Sequence, residues 1–366
     1  MATHELHIDT SIPVRREASR CHNRWHPDIP PALACLPGDD ILVTTRDAVD
    51  GQFSMNSTHE DVPRADRTIV HPLTGPIFVD GAEPGDLLVV EILAVQPGAF
   101  GYTAQIPGFG FLRDEFPAPF LARWEIADDW ATSPDLPGVR IPGRPFMGIM
   151  GLAPSRDLLA QISVRERELA ASGADVALPE PRGAVPEDAA IASEALRTKP
   201  PRENGGNLDV KDMVAGTRVL FPVWTEGALF SAGDGHFAQG DGEVCGTAIE
   251  TTTTLHLRFD VVKAGAADRG IRDVMIHGNE AGALSGDYVA TTGLSVYAES
   301  GGKAENLNGA ARSALRNMVD YLSEEYGYTR QQAYAICSVA VDLKISEIVD
   351  APNFVVTARL PLGIFA

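Results

Sequence analysis

TTTTLHLRFDVV, Thr251–Val262, is the stretch that decides the fold class. Leu255, Leu257, Phe259 and Val261 alternate with His256, Arg258 and Asp260. A period of two lays the first set on an inward face and the second on solvent, as a strand does. His256 then reads as an exposed strand residue and not as a ligand. Upstream, Val219–Ser231 is another largely apolar run with β-branched and aromatic residues, so it too reads as extended chain. Between the two lies EGALFSAGDGHFAQGDGEVCG, Glu226–Gly246, where Asp234, His236, Gln239, Asp241 and Glu243 sit among six glycines. Dense polar side chains without bulky scaffolding suit a site on a strand-to-strand connection. If Asp234 and His236 end the first strand in extended conformation, their spacing points both side chains to one face. That is a start for a divalent metal site, and the glycines would let a ligand approach closely. An isolated Asp-Gly-His reads as a turn with a hydrogen-bonded histidine. Glu243, with the upstream Asn207 and Asp209, moves the reading toward a functional site.

Strand-like runs between Pro-Gly-Asp turns fill the first half. Pro37-Gly38-Asp39 leads into Ile41–Thr45, and Pro84-Gly85-Asp86 into Leu87–Val95. Gly51–Arg67 lacks apolar periodicity and reads as a loop; His71-Pro72-Leu73-Thr74-Gly75-Pro76 is a turn before the short strand Ile77–Val79. Residues 101–154 carry too much proline for a long helix. Ser155 caps a predicted helix to about Leu169, with Leu158, Leu159, Ile162 and Leu169 on one side. Residues 173–203, rich in Ala, Pro and Glu, read as a surface excursion whose removal should spare the core. Helical spacing is strongest from about Asn306 to Tyr326, through Leu307, Ala311, Ala314, Leu315, Met318, Val319 and Leu322. Thr329 and Gln332 form a capping box for a further helix to about Cys337, and Asn353–Leu360 returns to β composition. The expectation is one domain over 1–366 with a mainly β core, a helix and excursion at 155–203, and a helical addition at 304–337.

A chain of 366 residues with 44% apolar and 22% charged content is ordinary for a globular protein with a sizeable core. A net charge of -20 argues against nucleic acid or an anionic membrane as partner, since both select clustered Lys and Arg. The four cysteines, Cys21, Cys35, Cys245 and Cys337, lack C-x-x-C spacing, which supports neither a disulfide framework nor a zinc knuckle. The N-terminus has no signal-like apolar segment and no run approaches the ~20 apolar residues of a membrane span, so the expected compartment is the cytoplasm.

Eight segments in order resemble the acetamidase/formamidase family. They are HNRWHPDIPP (His22–Pro31), TRDAVDGQ (Thr45–Gln52), HPLTGPIFV (His71–Val79), AEPGDLLVVEI (Ala82–Ile92), IPGRPFMGIMGLAP (Ile141–Pro154), GGNLDVK (Gly205–Lys211), GDGHFAQGDGEVCG (Gly233–Gly246) and SVAVDLKISEIV (Ser338–Val349). The resemblance implies a jelly-roll-like β-sandwich with added helices, homo-oligomeric assembly, and hydrolysis of a small amide to a carboxylate and ammonia. HNRWHPDIPP and the Pro-rich middle are similar to the longer, formamidase-like branch, which favours formamide; acetamide, a γ-lactam or a carbamate are the alternatives. Divalent metal, zinc foremost, is also implied, at the matching positions Asp209, Asp234, His236 and Glu243. Mixed carboxylate and imidazole donors suit such an ion.

Amide hydrolysis needs an activated nucleophile, a stabilised oxyanion and a protonated leaving nitrogen. A metal lowers the pKa of its water from 15.7 to about 7, and Glu243, if it stands behind the ligands and is not one of them, would take the water proton and hand it to nitrogen. Asp234 and His236 are the other expected catalytic groups, while Asn207, Gln239 and His71 would orient the substrate; Asn207 reads equally as a turn residue and His71 as a turn stabiliser. Cys245 is a possible covalent nucleophile, but its Val-Cys-Gly setting reads as the start of a buried strand. His22, His26 and Asp28 read as loop packing or a second ion site. A β-sandwich that binds a small ligand without turnover is the reading from another class.

Overall fold

The computed structural model describes residues 2–110, 117–135, 140–239, 243, 245–280, 286–296, 306–328 and 341–362. Thr253–Val262 pairs antiparallel with Asp40–Thr45 on one side and Leu87–Pro97 on the other. Its alternation is realised in full: Leu255, Leu257 and Phe259 are buried, while His256 and Arg258 face outward and bind Asp40. Among the described residues these strands belong to a nine-stranded sheet, facing an eleven-stranded one that includes Leu73–Val79, Phe146–Gly151 and Phe230–His236. Ile41, Val43, Val90 and Leu257 of the first sheet interlock with Ile77, Met147, Met150 and Phe230 of the second in one core, which makes a sandwich. Phe230 joins the layers, its ring edge-on to Phe221 at 6.2 Å and Phe259 at 5.1 Å; aromatic pairs of this kind add about 0.5–1.5 kcal/mol beyond their burial.

Two helices cover the sandwich. Arg156–Ala171 starts where the Ser155 side chain accepts from the Leu158 amide, and it packs Leu158, Leu159 and Ile162 on Trp25, Leu73 and Ile149. Leu307–Tyr326 is capped by Asn306 and buries Ala314, Met318 and Leu322 against Val289 and Val356 of the first sheet. Its close approach depends on Gly293, where a Cβ would lie 2.1 Å from the Ala314 nitrogen. No helix among the described residues is long and apolar enough to cross a membrane.

Three local expectations differ from the structure. Val219–Ser231 is two strands: Arg218–Pro222 ends in the first sheet and Phe230–His236 begins in the second. Pro222 has no N–H to extend a ladder, and Gly227, Ala228 and Leu229 turn the chain across with φ of +70, +59 and +54. Residues 173–203 form a surface excursion only in part: 187–190 and 193–194 are exposed, while 183–185 and 195–198 turn inward. Val185, Ala195, Leu196 and Thr198 are buried, Leu196–Arg197 pairs with Arg24–Trp25, and Arg202 grips Glu166 beneath the first helix. Their small side chains fit under the helix, and the ion pair hides their charge, so composition alone read as exposed. Cys245 lies in a half-buried turn and not in a strand, its thiol 3.4 Å from the Thr247 carbonyl. The expected capping box at Thr329 and the helix to Cys337 lie outside the described residues, as does Asp241.

Candidate active site

The strand Phe230–His236 lies between Phe146–Gly151 and Glu250–Thr251, with Leu73–Val79 along its first half. Antiparallel register sets His236 opposite Glu250 and brings the Glu250 Oε2 to 3.2 Å from the imidazole Nε2. Asp234 Oδ1 stands 3.6 Å and Glu243 Oε1 3.9 Å from the same nitrogen, and Asp209 Oδ1 3.9 Å from Nδ1. All five side chains are buried. Asp234 and His236 converge as their spacing suggested, but not through extended chain: Asp234 has φ +61, with Asp209 at +47 and Glu243 at +45. Non-glycine residues rarely adopt this left-handed region, and where they do the strain clusters at working sites. Opposite them the strand Phe146–Gly151 presents Gly148, where a Cβ would sit 2.5 Å from Asp209 Oδ1, 2.8 Å from His236 Cε1 and 2.9 Å from Asp234 Oδ2. Only glycine leaves room for the cluster.

Gln239 fixes the imidazole. Its Nε2 donates to the Asp209 carbonyl at 2.9 Å, which orients the amide and turns Oε1 to His236 Nδ1 at 2.8 Å. An amide oxygen only accepts, so Nδ1 carries a proton and Nε2 faces the carboxylates. That nitrogen, Asp209 Oδ1, Asp234 Oδ1 and Glu250 Oε2 are buried with no hydrogen-bond partner. Buried polar atoms are otherwise nearly always bonded, so this set is shaped for a cation. Two overlapping groups could hold one, Asp209–His236–Glu243 and Asp234–His236–Glu250, their ligand atoms within 4.8 Å of one another. Carboxylate oxygens with an imidazole nitrogen match the donor chemistry of a divalent ion.

Glu347 and Asp350 extend the acid cluster. Burial, then neighbouring carboxylates, pushes the Asp209, Glu243 and Glu347 carboxyls well above the usual range. Burial also raises Glu250 to about 7 and Asp350 to about 6, against the pull of His236 and Lys199 respectively. Asp234 moves the other way, because the His71 and His236 imidazoles outweigh its burial. For His236, burial opposes the charged form, but Glu250 and Asp234 prevail and raise it. A site crowded with acceptors that repel each other calls for added positive charge.

Asp234, Glu243 and Glu250 of the cluster form one wall of a pocket of about 590 Å³, mouth included, lined also by His71, Asn207, Asp350 and Lys199. Asn207 Nδ2 donates to Asp209 Oδ2 at 2.8 Å and to Asp350, while its Oδ1 is left without a partner. His71 is half-buried, with its Nδ1 enclosed and unpartnered. The other candidates lie apart. His22 bonds Ser231 Oγ and the Arg24 carbonyl, His26 bonds Glu194, and Asp28 bonds Arg156. Sequence reasoning missed Glu250, Glu347, Asp350 and Lys199. Glu250 carried a signal, the one charged residue in Gly246–Leu255, and Glu347 stood within SVAVDLKISEIV.

Comparison with known proteins places these features in context. The sequence profile described as "Acetamidase/Formamidase family" matches residues 7–366. The chain is 39% identical over 357 residues to an acetamidase of Mycolicibacterium smegmatis, spanning 90% of this chain and 87% of that protein. It is 39% identical over 366 residues to a formamidase of Methylophilus methylotrophus, spanning 94% and 89%. A solved gamma lactamase from Delftia acidovorans superposes with a TM-score of 0.74 at 35% identity, over 99% of this chain and 93% of that one.

Proposed function

The chain belongs to the acetamidase/formamidase family and is a hydrolase of small amides acting on the C–N bond; from that premise we propose that it cleaves formamide to formate and ammonia with a zinc ion resident at His236. The observation that carries the reading is the buried imidazole among carboxylates whose facing atoms have no protein partner. The formamidase relative supports the choice of amide. Asp209, Asp234, His236 and Glu250 would hold the ion, whose chemistry when bound is to polarise a carbonyl and make water a stronger nucleophile near neutral pH.

The remaining steps belong to the protein. A cation beside Glu243 would offset the burial and crowding that hold its carboxyl protonated, and as a carboxylate Glu243 would take a proton from water as the water oxygen bonds to the amide carbon. It then delivers that proton to nitrogen as the C–N bond breaks, releasing carboxylate and ammonia. The free Asn207 Oδ1 accepts from the substrate NH₂, and His71 holds the opposite side of the pocket. Gln239 acts one step back, through the His236 ring. Cys245 takes no part. The exposed Leu343 and Ile345 on Asp342–Glu347, an edge strand of the nine-stranded sheet, support assembly of like copies.

The test is ammonia release from formamide, acetamide and a γ-lactam before and after chelation, with metal quantified in the same samples. Formamide turnover lost with the metal and restored by zinc is the expected result. Turnover persisting in demonstrably metal-free protein would sink the metal reading and return attention to Cys245. Binding of amides without turnover in metal-loaded protein would favour a non-catalytic role.

A further inference from the structure

A group of basic residues stands apart from the acid cluster, in a chain whose net charge is -20. Arg67, exposed, and Lys199, half-buried, line the opening of the pocket. Arg197 is buried behind Arg67 and donates to its carbonyl at 3.0 Å, while its own Nε has no partner. Glu180 serves Arg182 and Arg197 together, at 3.1 and 3.7 Å. Burial above all lowers the Arg197 pKa, and the Arg67 and Arg182 charges add to it against the pull of Glu180. Positive charge is in excess here, as negative charge is around His236.

Phe109 ties the two lining cations together. Its ring centre lies 4.5 Å from the Lys199 ammonium and 5.6 Å from the Arg67 guanidinium, contacts that hold both head groups beside one aromatic ring. Gly246 lies against that ring, where a Cβ would come within 2.4 Å of it. A π face offers no lone pair to an N–H group. Among the described residues neither head group meets a carboxylate or another hydrogen-bond acceptor. Two cations with open donors, held at one place on a pocket, match a planar anion with two oxygens.

Amide hydrolysis turns a neutral substrate into such an anion, and the Asp234, Glu243, Glu250 and Asp350 side chains lining the same pocket repel it when ionised. We propose that Lys199 and Arg67 form a carboxylate-binding site at the pocket opening, separate from the acid-histidine cluster. One carboxylate oxygen meets the Lys199 ammonium and the other the Arg67 guanidinium. Two sources supply that chemistry: the product of hydrolysis, held as it leaves, or a second group on the substrate itself, as in the monoamide of a dicarboxylic acid. This inference rests on the amide-hydrolase reading and adds to it a site for the charged end of the reaction.

The experiment compares metal-loaded wild type with Lys199→Met, Arg67→Gln and the charge-keeping Lys199→Arg. It measures the inhibition constant of acetate against formamide hydrolysis, and the ratio of kcat/KM for succinamate over butyramide, which differ in carrying a carboxylate or a methyl at the far end. Loss of one charged hydrogen-bond partner weakens binding about tenfold. If the product is the ligand, the acetate inhibition constant rises about tenfold in both neutral variants and stays near wild type in Lys199→Arg. If the substrate carries the ligand, succinamate is favoured over butyramide at least about tenfold, and the preference collapses in the neutral variants alone. A merely structural role for either side chain would slow every amide and leave the inhibition constant and the ratio in place. Both quantities unmoved in both neutral variants overturn the carboxylate site, while formamide turnover keeps the hydrolase reading intact. No ammonia from any of the amides overturns both.

Discussion

The Glu166–Arg202 pair and the His236 cluster both bury charge, under opposite conditions. Glu166 and Arg202 are each about 1% exposed and meet through two hydrogen bonds of 2.6 and 3.0 Å, with a third Arg202 nitrogen on the Arg197 carbonyl. Around His236 the acceptors Asp209 Oδ1, Asp234 Oδ1 and Glu250 Oε2 meet no donor. A satisfied pair is architecture: it pins residues 195–203 under the first helix and is expensive to break rather than to keep. An acid-rich cluster with open lone pairs works against folding until a cation from outside joins it. Buried charge thus marks structure where it is balanced and chemistry where it is not.

The largest expected effect is catalytic. His236→Ala should lower kcat for formamide by about 10²–10⁴-fold and reduce bound metal, with circular dichroism unchanged; near-native turnover would place the chemistry elsewhere. Next comes the same substitution made in both places. Glu166→Gln strands the Arg202 guanidinium and should cost about 3–5 kcal/mol in urea unfolding. Glu243→Gln, studied in chelated protein, removes a carboxyl crowded by Asp209 and Glu250, so stability should equal or exceed the parent while turnover is lost. Losses of similar size at both positions would end the distinction between the two sites.

Asp273 offers an intermediate case, buried and bonded by the neutral Asn317 amide. Burial pushes its carboxyl up to about 8 despite that bond. The folded protein therefore keeps a proton that the unfolded chain releases near 3.9. Its contribution is greatest at low pH and declines as pH rises from about 4 toward 8. Asp273→Asn should flatten the stability profile by about 2 kcal/mol between pH 5 and pH 7, measured as the difference between wild-type and variant unfolding curves. Parallel profiles would refute it.

Local grammar was legible in advance. The alternation of Leu255, Leu257 and Phe259 sets a strand, Ser155 starts the helix it caps, and the helical spacing from about Asn306 sets the other helix. The Asp234-x-His236 pair and Glu243 stand out because polar side chains among glycines lack a core role. Each of these is a property of one short segment, readable from propensity and period. What only tertiary structure decided is which distant segments meet. Glu250 reaches His236 through strand register, Asp209 through the turn after Gly205–Asn207, and Asp350 through a chain end more than a hundred residues away in sequence. Composition could not foresee that residues 195–203 turn inward, because the partner that neutralises Arg202 lies in another element. The sequence by itself determined the strands, the caps and the acid-histidine nucleus. The fold decided register and burial, and so which carboxylates share one low-dielectric site, because those depend on contacts no local pattern encodes.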